Sequence, residues 1–430
     1  MAHVIVLGAG AMGLAAAHHL LKAGHTVELF EADRVAGGMA AHFDFGGLSI
    51  ERFYHFVCKA DAPTFALLEE LGLAQAMRWR PTKMGYFYDG KLYRWGDPLA
   101  LLAFPKLDPL SKLRYAWQMF MATKRTDWRD LDGISAAEWL RRGSGERAWK
   151  VLWEKLFTLK FFELSEQVSA AWLWTRIKRV GTSRRSLMQE ELGYIDGGSE
   201  TLVKALVASI ERQGGRLHLG TPVREVTLEG GAVTGIVTAG GERVAAGHVI
   251  STVPMPLIPK LIPALPEALK ARYAALRNIG AVCVIHKLRR AVTGNFWLNT
   301  NDARIEVPGL VEFSNLRPFA DGTRIVYVPY YMPQTHPKFA RDDDFFVRES
   351  FGYLKLVNPQ LTDADRLDSA VGRLQYAQPL CPPGFAAMLP DIVTPIRGLQ
   401  IADTSSYYPE DRGIAESARV AQEMAARVGA

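Results

Sequence analysis

Near the start of the chain Gly8, Gly10 and Gly13 are spaced as GxGxxG, and Glu31 stands 18 positions after the last of them (31 − 13). Glycine is what phosphate chemistry asks for at such positions. Gly8 lets the chain turn sharply out of a strand, Gly10 lets backbone approach a pyrophosphate where a Cβ would collide, and Gly13 lets a helix pack closely on that strand. Ala11 and Met12 lie between them, where the free N–H groups and positive end of the helix would meet the phosphates. Glu31 can accept both hydroxyls of an adenosine ribose, and its charge argues against a 2′-phosphate. Beyond it the pair Gly37-Gly38, followed by Met39, lets backbone lie against a longer cofactor, where a nicotinamide dehydrogenase would pass directly into another helix and strand. That favours FAD.

A second group of reactive residues follows at once: Glu51, Arg52, Tyr54 and His55 fall within five positions. An imidazole with an ordinary pKa of about 6.5 suits proton transfer, which makes His55 a candidate catalytic residue. Arg184 and Arg185 end a compact basic run, KRVGTSRR, whose planar guanidinium forks could hold a substrate oxyanion. Asn315, Tyr327, Tyr330 and Tyr331 lie on later strands, where aromatic rings with polar tips can wall a pocket; Asn315 is a candidate substrate contact and Tyr331 a candidate catalytic residue. Cys58, Cys283 and Cys381 are scattered and odd in number, which fits neither a disulfide framework nor a zinc site, so no metal is expected.

Elements must bring these residues together, and the hydrophobic pattern predicts them in order. His3 to Glu31 reads as strand, glycine turn, helix, strand. Asp61 is a predicted N-cap of the next helix, and Asp89-Gly90 between aromatic runs predicts a hairpin over Gly85 to Trp95. Leu110 to Val180 reads as mainly helical and rich in aromatic and basic residues. Ser199 is a predicted N-cap of an amphipathic helix, Arg216 to Val226 alternates as one strand, and two further strands follow around Gly240-Gly241. A strand, a turn and a helix from about Ile414 end the chain. At 430 residues two domains are expected.

The opening GAGAMG, Glu31, the glycine pair and the closing GLQIADTSSYYPEDRGIAES together resemble the FAD-dependent superfamily of amine oxidases, protoporphyrinogen oxidases, phytoene desaturases and UDP-galactopyranose mutases. The resemblance implies an α/β fold: a Rossmann-like FAD-binding domain with an α+β substrate domain inserted. The cofactor domain would be discontinuous, from residues 1–80, 190–254 and 390–430, with the substrate domain from 81–189 and 255–389. It also implies a backbone contact from Val223 to the adenine, an acid at Asp403 near the ribityl or phosphate portion, and a helix start at Gly413 and Ile414 facing the flavin pyrimidine edge. Those families often have Arg where this chain has Met39. Many amine oxidases carry a Lys that holds water near the flavin, where this chain has Gly280 and Ala281; Lys287 falls several residues late and reads as surface. The implied activity is oxidation or desaturation of a hydrophobic small molecule by hydride transfer to flavin N5. An isomerase of the UDP-galactopyranose mutase type and a non-catalytic binding protein of the Rab-escort type stay open as alternatives.

Composition narrows the setting. The chain carries 51 basic against 45 acidic residues, a net charge of +6, which suits an anionic substrate or a membrane surface, and no nucleic-acid motif accompanies it. Two segments, LSKLRYAWQMFMATKR and AWKVLWEKLFTLKFF, set aromatic positions beside basic ones, as peripheral membrane contact or a cavity for a large apolar substrate would require. No apolar run is long enough to span a bilayer and no leader peptide is read, so a cytoplasmic protein, peripheral at the inner face of the membrane, is expected. The electron acceptor leaves no local pattern.

Overall fold

The computed structural model describes residues 1–428. The chain opens as β1 (His3–Leu7), α1 (Ala11–Lys22) and β2 (Thr26–Phe30), with four of the five residues in each strand buried. Near-continuous burial is what a parallel strand covered on both faces requires. The hairpin β3 (Met84–Tyr88) and β4 (Lys91–Trp95) closes at Asp89 and Gly90, whose φ values of 48° and 75° are the left-handed pair of a type I′ turn. Helices α2 (Pro98–Ala103), α3 (Pro109–Lys124), α4 (Glu154–Phe161), α5 (Ala170–Thr182) and α6 (Ser199–Arg212) follow. After them come β5 (Arg216–His218), β6 (His248–Ser251), β7 (Asn278–Leu288), β8 (Trp297–Asn301), β9 (Gly309–Glu312) and β10 (Arg324–Met332). Helix α7 (Asp343–Val357), β11 (Arg366–Pro379), β12 (Leu399–Ile401) and α8 (Ile414–Ala426) complete the order.

The first sheet is parallel throughout, in the order β5–β2–β1–β6–β12, so the chain leaves it and returns to it several times. The two faces of β1 separate cleanly. Val4 and Val6 pack with α1, α6 and α8, while Ile5 and Leu7 pack with the antiparallel strands Val223–Glu229 and Ala232–Thr238. The second sheet runs β11–β7–β10–β9–β8–β3–β4 and is antiparallel except where β8 meets β3. Here too the period of two sorts the side chains. Val282, Val284, Val328 and Tyr330 lie under α7, and the alternate residues Ala281, Cys283, Pro329 and Tyr331 face a cavity.

Several sequence expectations change in detail. Arg216 to Val226 is two strands in two sheets, broken at Gly220-Thr221-Pro222, where proline offers no N–H to a ladder. Asp61 occupies the N-cap position of its helix but does not cap it. Its carboxylate accepts from Cys58 N (2.9 Å) and pairs with Arg179 at 2.6 and 2.7 Å. Gly198, not Ser199, is the N-cap of α6; Ser199 N and Oγ both donate to Glu51 Oε1, a carboxylate from another strand. Lys287 is buried rather than on the surface, because its ammonium reaches Gly46 O at 2.9 Å. Among the described residues no helix is long and apolar enough to cross a membrane.

Candidate active site

A single cavity of about 890 Å³ reaches from the glycine turn between β1 and α1 to the alternate-residue face of β7 and β10. Its first end is made largely of backbone. Gly8 holds φ 98°, and a Cβ on Gly10 would meet nothing within 4 Å, so that position is open to a ligand. Gly37 N donates to Ala9 O (2.7 Å), folding the glycine pair back on the first turn, where a Cβ on Gly38 would stand 3.1 Å from Gly10 Cα. Gly37 and Gly38 have φ 118° and 57°, so glycine is needed for conformation as well as for space. Gly13 does not line the cavity: a Cβ there would fall 1.8 Å from Gly8 O, which makes it the contact between helix and strand.

Glu31 is fixed at this end by two backbone donors, Ala9 N to Oε2 (2.7 Å) and Asp33 N to Oε1 (2.8 Å), and each oxygen keeps a lone pair for a further donor. Thr221 N donates to Glu31 O, which carries Val223 into the same wall. Asp403 is buried and accepts from Met255 N and Ser405 N, both at 2.7 Å; burial pushes its carboxyl up. Ala11, Met12, Met39, Gly413 and Ile414 also line the cavity. Neither α1, beginning after Gly10, nor α8, beginning after Gly413, has a capping side chain. Two helix N-termini with unclaimed N–H groups therefore open on one cavity, joined by glycine backbone and a ribose-sized acid. That donor set fits FAD, whose diphosphate and pyrimidine edge are both acceptors.

The other end is aromatic and charged. Tyr331 Oη accepts from Arg412 Nη2 at 3.2 Å, and Arg412 Nη1 donates to Ala377 O. Arg176 of α5 pairs with Asp411. Although burial pushes the Asp411 carboxyl up, Arg176, Lys160 and Arg412 outweigh it and hold it down at about 2. Lys160 of α4 is 7% exposed, with its Nζ 5.1 Å from the Trp172 ring centre and 5.2 Å from that of Tyr331. No hydrogen bond or ion pair reaches that ammonium among the described residues, and burial together with Arg176 pushes it well below the ordinary lysine range. Tyr54 stands edge-on to Trp297 (5.9 Å) and Tyr327 (5.6 Å). Burial pushes the His55 imidazole down to about 4, and its Nδ1 is buried without a partner.

Of the residues expected from sequence to serve the site, His55 and Tyr331 line the cavity together with the glycines and acids above. Arg184, Arg185 and Asn315 do not. Arg184 is spent on Gly96 O (3.0 Å) and Leu187 O (2.8 Å), Arg185 is exposed, and Asn315 Nδ2 donates to Thr293 O and Asn295 O. The cationic cluster was not anticipated. Asp411 and Arg412 directly precede Gly413, so the charged run before the last helix was a usable signal. Lys160 gave none, since it sits in an aromatic helix like any solvated lysine.

The chain matches the flavin-containing amine oxidoreductase family over residues 13–401. It is 27% identical over 293 residues to the zeta-carotene desaturase of Synechocystis sp., an alignment that takes in 60% of this chain and 59% of that protein. The chain spans between 48% and 60% of the length of the curated relatives it matches. Among solved structures, an oxidoreductase from Methanosarcina mazei superposes with a TM-score of 0.75 at 18% identity, covering 99% of this chain and 100% of that one. Cyclohexylamine oxidase from Brevibacterium oxydans gives 0.73 at 18% identity, covering 99% and 98%. At those identities the two structures speak for the fold, while the family match extends over most of the chain. The chain belongs to the flavin-containing amine oxidoreductase family, and its cofactor is FAD.

Proposed function

We propose that the protein is an FAD-dependent oxidoreductase that takes a hydride from a carbon of an apolar small molecule bearing one anionic group, a carboxylate or a phosphate. The observation that carries this reading is the charge at the aromatic end of the cavity. Lys160, Arg176 and Arg412 lie around one carboxylate, Asp411, and only Arg176 pairs with it, while the neighbouring Glu410 in the same wall is pushed up to about 7 by burial. A buried charge without a counter-ion costs several kcal/mol, on the order of 3–5 when a pair is broken, so a substrate anion is the complementary ligand. An anion beside Lys160 also favours its ammonium form, which burial disfavours. A protonated amine would meet like charge there, which separates this chain from a simple amine oxidase.

FAD, when bound, supplies the two-electron acceptor at its N5 position. The chain's own residues do the rest. Tyr54, Trp297 and Tyr331 wall the site with rings and exclude water, and Arg412 fixes the Tyr331 hydroxyl. His55, which lines the cavity and is held neutral at pH 7 by burial, is the group suited to take the proton that leaves the atom next to the oxidised carbon.

The reading is tested by mixing the anaerobic holoenzyme with matched sets of aromatic and isoprenoid acids, their phosphate esters, neutral analogues, amines and UDP-sugars. Bleaching of the flavin by acids or phosphates and not by their neutral partners is expected. Bleaching by amines alone, or isomerisation of a UDP-sugar with no net bleaching, overturns it. Arg184 and Arg185, the basic pair that a nucleotide-sugar reading would use, lie outside the cavity. A purified protein that stays colourless after refolding with FAD would return the non-catalytic binding reading.

A further inference from the structure

Helix α3 is apolar around most of its circumference: Tyr115 and Met119 pack on the hydrophobic core, and a second apolar row faces away from it. Ser111, Gln118 and Ala122 point into the protein, whereas Leu110, Leu113, Trp117, Phe120 and Met121 face outward, each between 46% and 68% exposed. The inward polar side is specified by bonds: Gln118 Nε2 donates to Trp139 O at 2.8 Å, and Gln118 Oε1 accepts from Ser144 Oγ. Rotating the helix to hide its apolar side would break them. Leu99 and Leu102 of α2, 57% and 66% exposed, extend the same surface, because Lys112 Nζ donates to Leu102 O at 2.5 Å and holds the two helices together. Arg184 ties the turn bearing Leu187, 78% exposed, to Gly96 just ahead of α2. A contiguous outward apolar surface on this scale marks an interaction site.

Charge says what covers it. From residue 97 to residue 125 there are five basic residues, Lys106, Lys112, Arg114, Lys124 and Arg125, against two acids, Asp97 and Asp108, a net of +3 (5 − 2). Both acids are committed to capping, Asp97 Oδ1 accepting from Ala100 N and Asp108 Oδ1 from Ser111 N, each at 3.0 Å; Arg125 pairs with Asp130 and Lys106 lies 3.6 Å from Asp89, so Lys112, Arg114 and Lys124 carry the basic rim. An apolar centre containing Trp and rimmed by Lys and Arg is complementary to an anionic phospholipid surface. A second copy of the chain would set the same basic rim against itself. We propose that α2, α3 and the turn at Leu187 dock in the headgroup layer of an anionic bilayer without crossing it. The face is one helix from the cavity: Trp174 Nε1 of α5 donates to Ala122 O (2.8 Å), and α5 carries Arg176 into the cavity wall. The inference rests on this outward face and does not depend on which substrate the cavity takes.

Flotation of the FAD-loaded protein with phosphatidylcholine vesicles, with and without phosphatidylglycerol, tests it at low and high salt. Recovery with the anionic vesicles at low salt is expected, falling as salt rises. The double variant Leu113→Glu/Trp117→Glu should lower the bound fraction about tenfold or more with its flavin absorbance unchanged. Lys112→Gln/Lys124→Gln should weaken binding at low salt only, and Trp117→Phe should retain it. Wild-type protein left wholly in the soluble fraction, or a double variant that floats as well as wild type, overturns the proposal. So does a wild-type dimer on sizing that Trp117→Glu makes monomeric with no flotation by either, since the face would then be a self-association surface.

Discussion

At one end of the cavity the wall is backbone, and at the other it is side chains. Gly8, Gly10, Gly37 and Gly38 make room by lacking a Cβ and lie within one βαβ unit and the loop just after it, although a Cβ on Gly8 would stand 2.5 Å from Thr252 Oγ1, which comes from far along the chain. Lys160, Arg176, Tyr331 and Arg412 come from α4, α5, β10 and the turn before α8, and meet only because two sheets and several helices have packed first. The first end depends on conformation, which a single residue type reports. The second depends on tertiary assembly, where each residue alone looks ordinary.

Two glycines at the backbone end give the largest and most divergent expected effects. Gly13→Val sets a Cβ 1.8 Å from Gly8 O, so β1 and α1 cannot pack and soluble folded protein should be lost. Gly10→Val places its side chain in open cavity, so the apoprotein should keep its circular dichroism and melting curve. Its FAD affinity should fall by at least ~100-fold, about 3 kcal/mol. If Gly10→Val instead purifies with a full complement of flavin, the diphosphate does not lie at the start of α1 and the two ends have been misassigned.

The same contrast explains what could be read beforehand. The glycine spacing, Glu31, the Asp89-Gly90 hairpin and the start of α8 are local rules, and the chain obeys them at the expected positions. Capping was less legible, since Asp61 and Ser199 have the right chemistry for it. Long-range partners took them over: Arg179 claims the first, and Glu51 supplies the carboxylate at the second. Arg216 to Val226 alternated like one strand because both of its pieces do, and nothing local says that they enter different sheets. In α3 the apolar residues occupy most of the circumference, so periodicity could not say which side faces water. The bonds of Gln118 decide it.

Lys160→Met tests the side-chain end through two opposed readouts. Burial holds the folded Lys160 below the ordinary lysine range, so its charged form penalises the native state at pH 7. That penalty disappears only above the unfolded lysine pKa, about 10.4. The variant should therefore raise the thermal midpoint of the free holoenzyme at pH 7, by about 1–4 kcal/mol in stability, and lose that advantage above pH ~10.4. Binding of an anionic substrate, read from the flavin spectrum, should weaken by ~10–100-fold, the loss of one charged hydrogen bond. A variant that changes FAD affinity but not anion binding would assign the ammonium to the cofactor.

His55 gives a smaller effect, confined to acid. Its folded pKa lies at about 4, below the ordinary value of about 6.5, so the unfolded chain takes up a proton that the folded chain refuses as pH falls between the two. Stability is lost through that window and is unaffected above it. His55→Asn should flatten the fall, by about 2 kcal/mol at pH 5 relative to pH 7.5, in urea melts of both proteins. An equal slope in both would mean that the imidazole titrates in the native state as it does in the unfolded chain, so that it is open to water rather than buried in the cavity wall.

Arg184→Gln is expected to do least, and for that reason it bears on where the anion sits. The guanidinium touches three carbonyl oxygens, those of Gly96, Ser186 and Leu187, and no cavity residue. Its loss should leave substrate affinity and flavin bleaching within about twofold of wild type, as expected of a partly exposed side chain away from the site. The basic loop has the composition of an oxyanion site and Lys160 has the location of one. Were Arg184→Gln to impair substrate binding while Lys160→Met did not, composition would have been the better guide, and the anion would have to bind at the loop rather than at the aromatic end of the cavity.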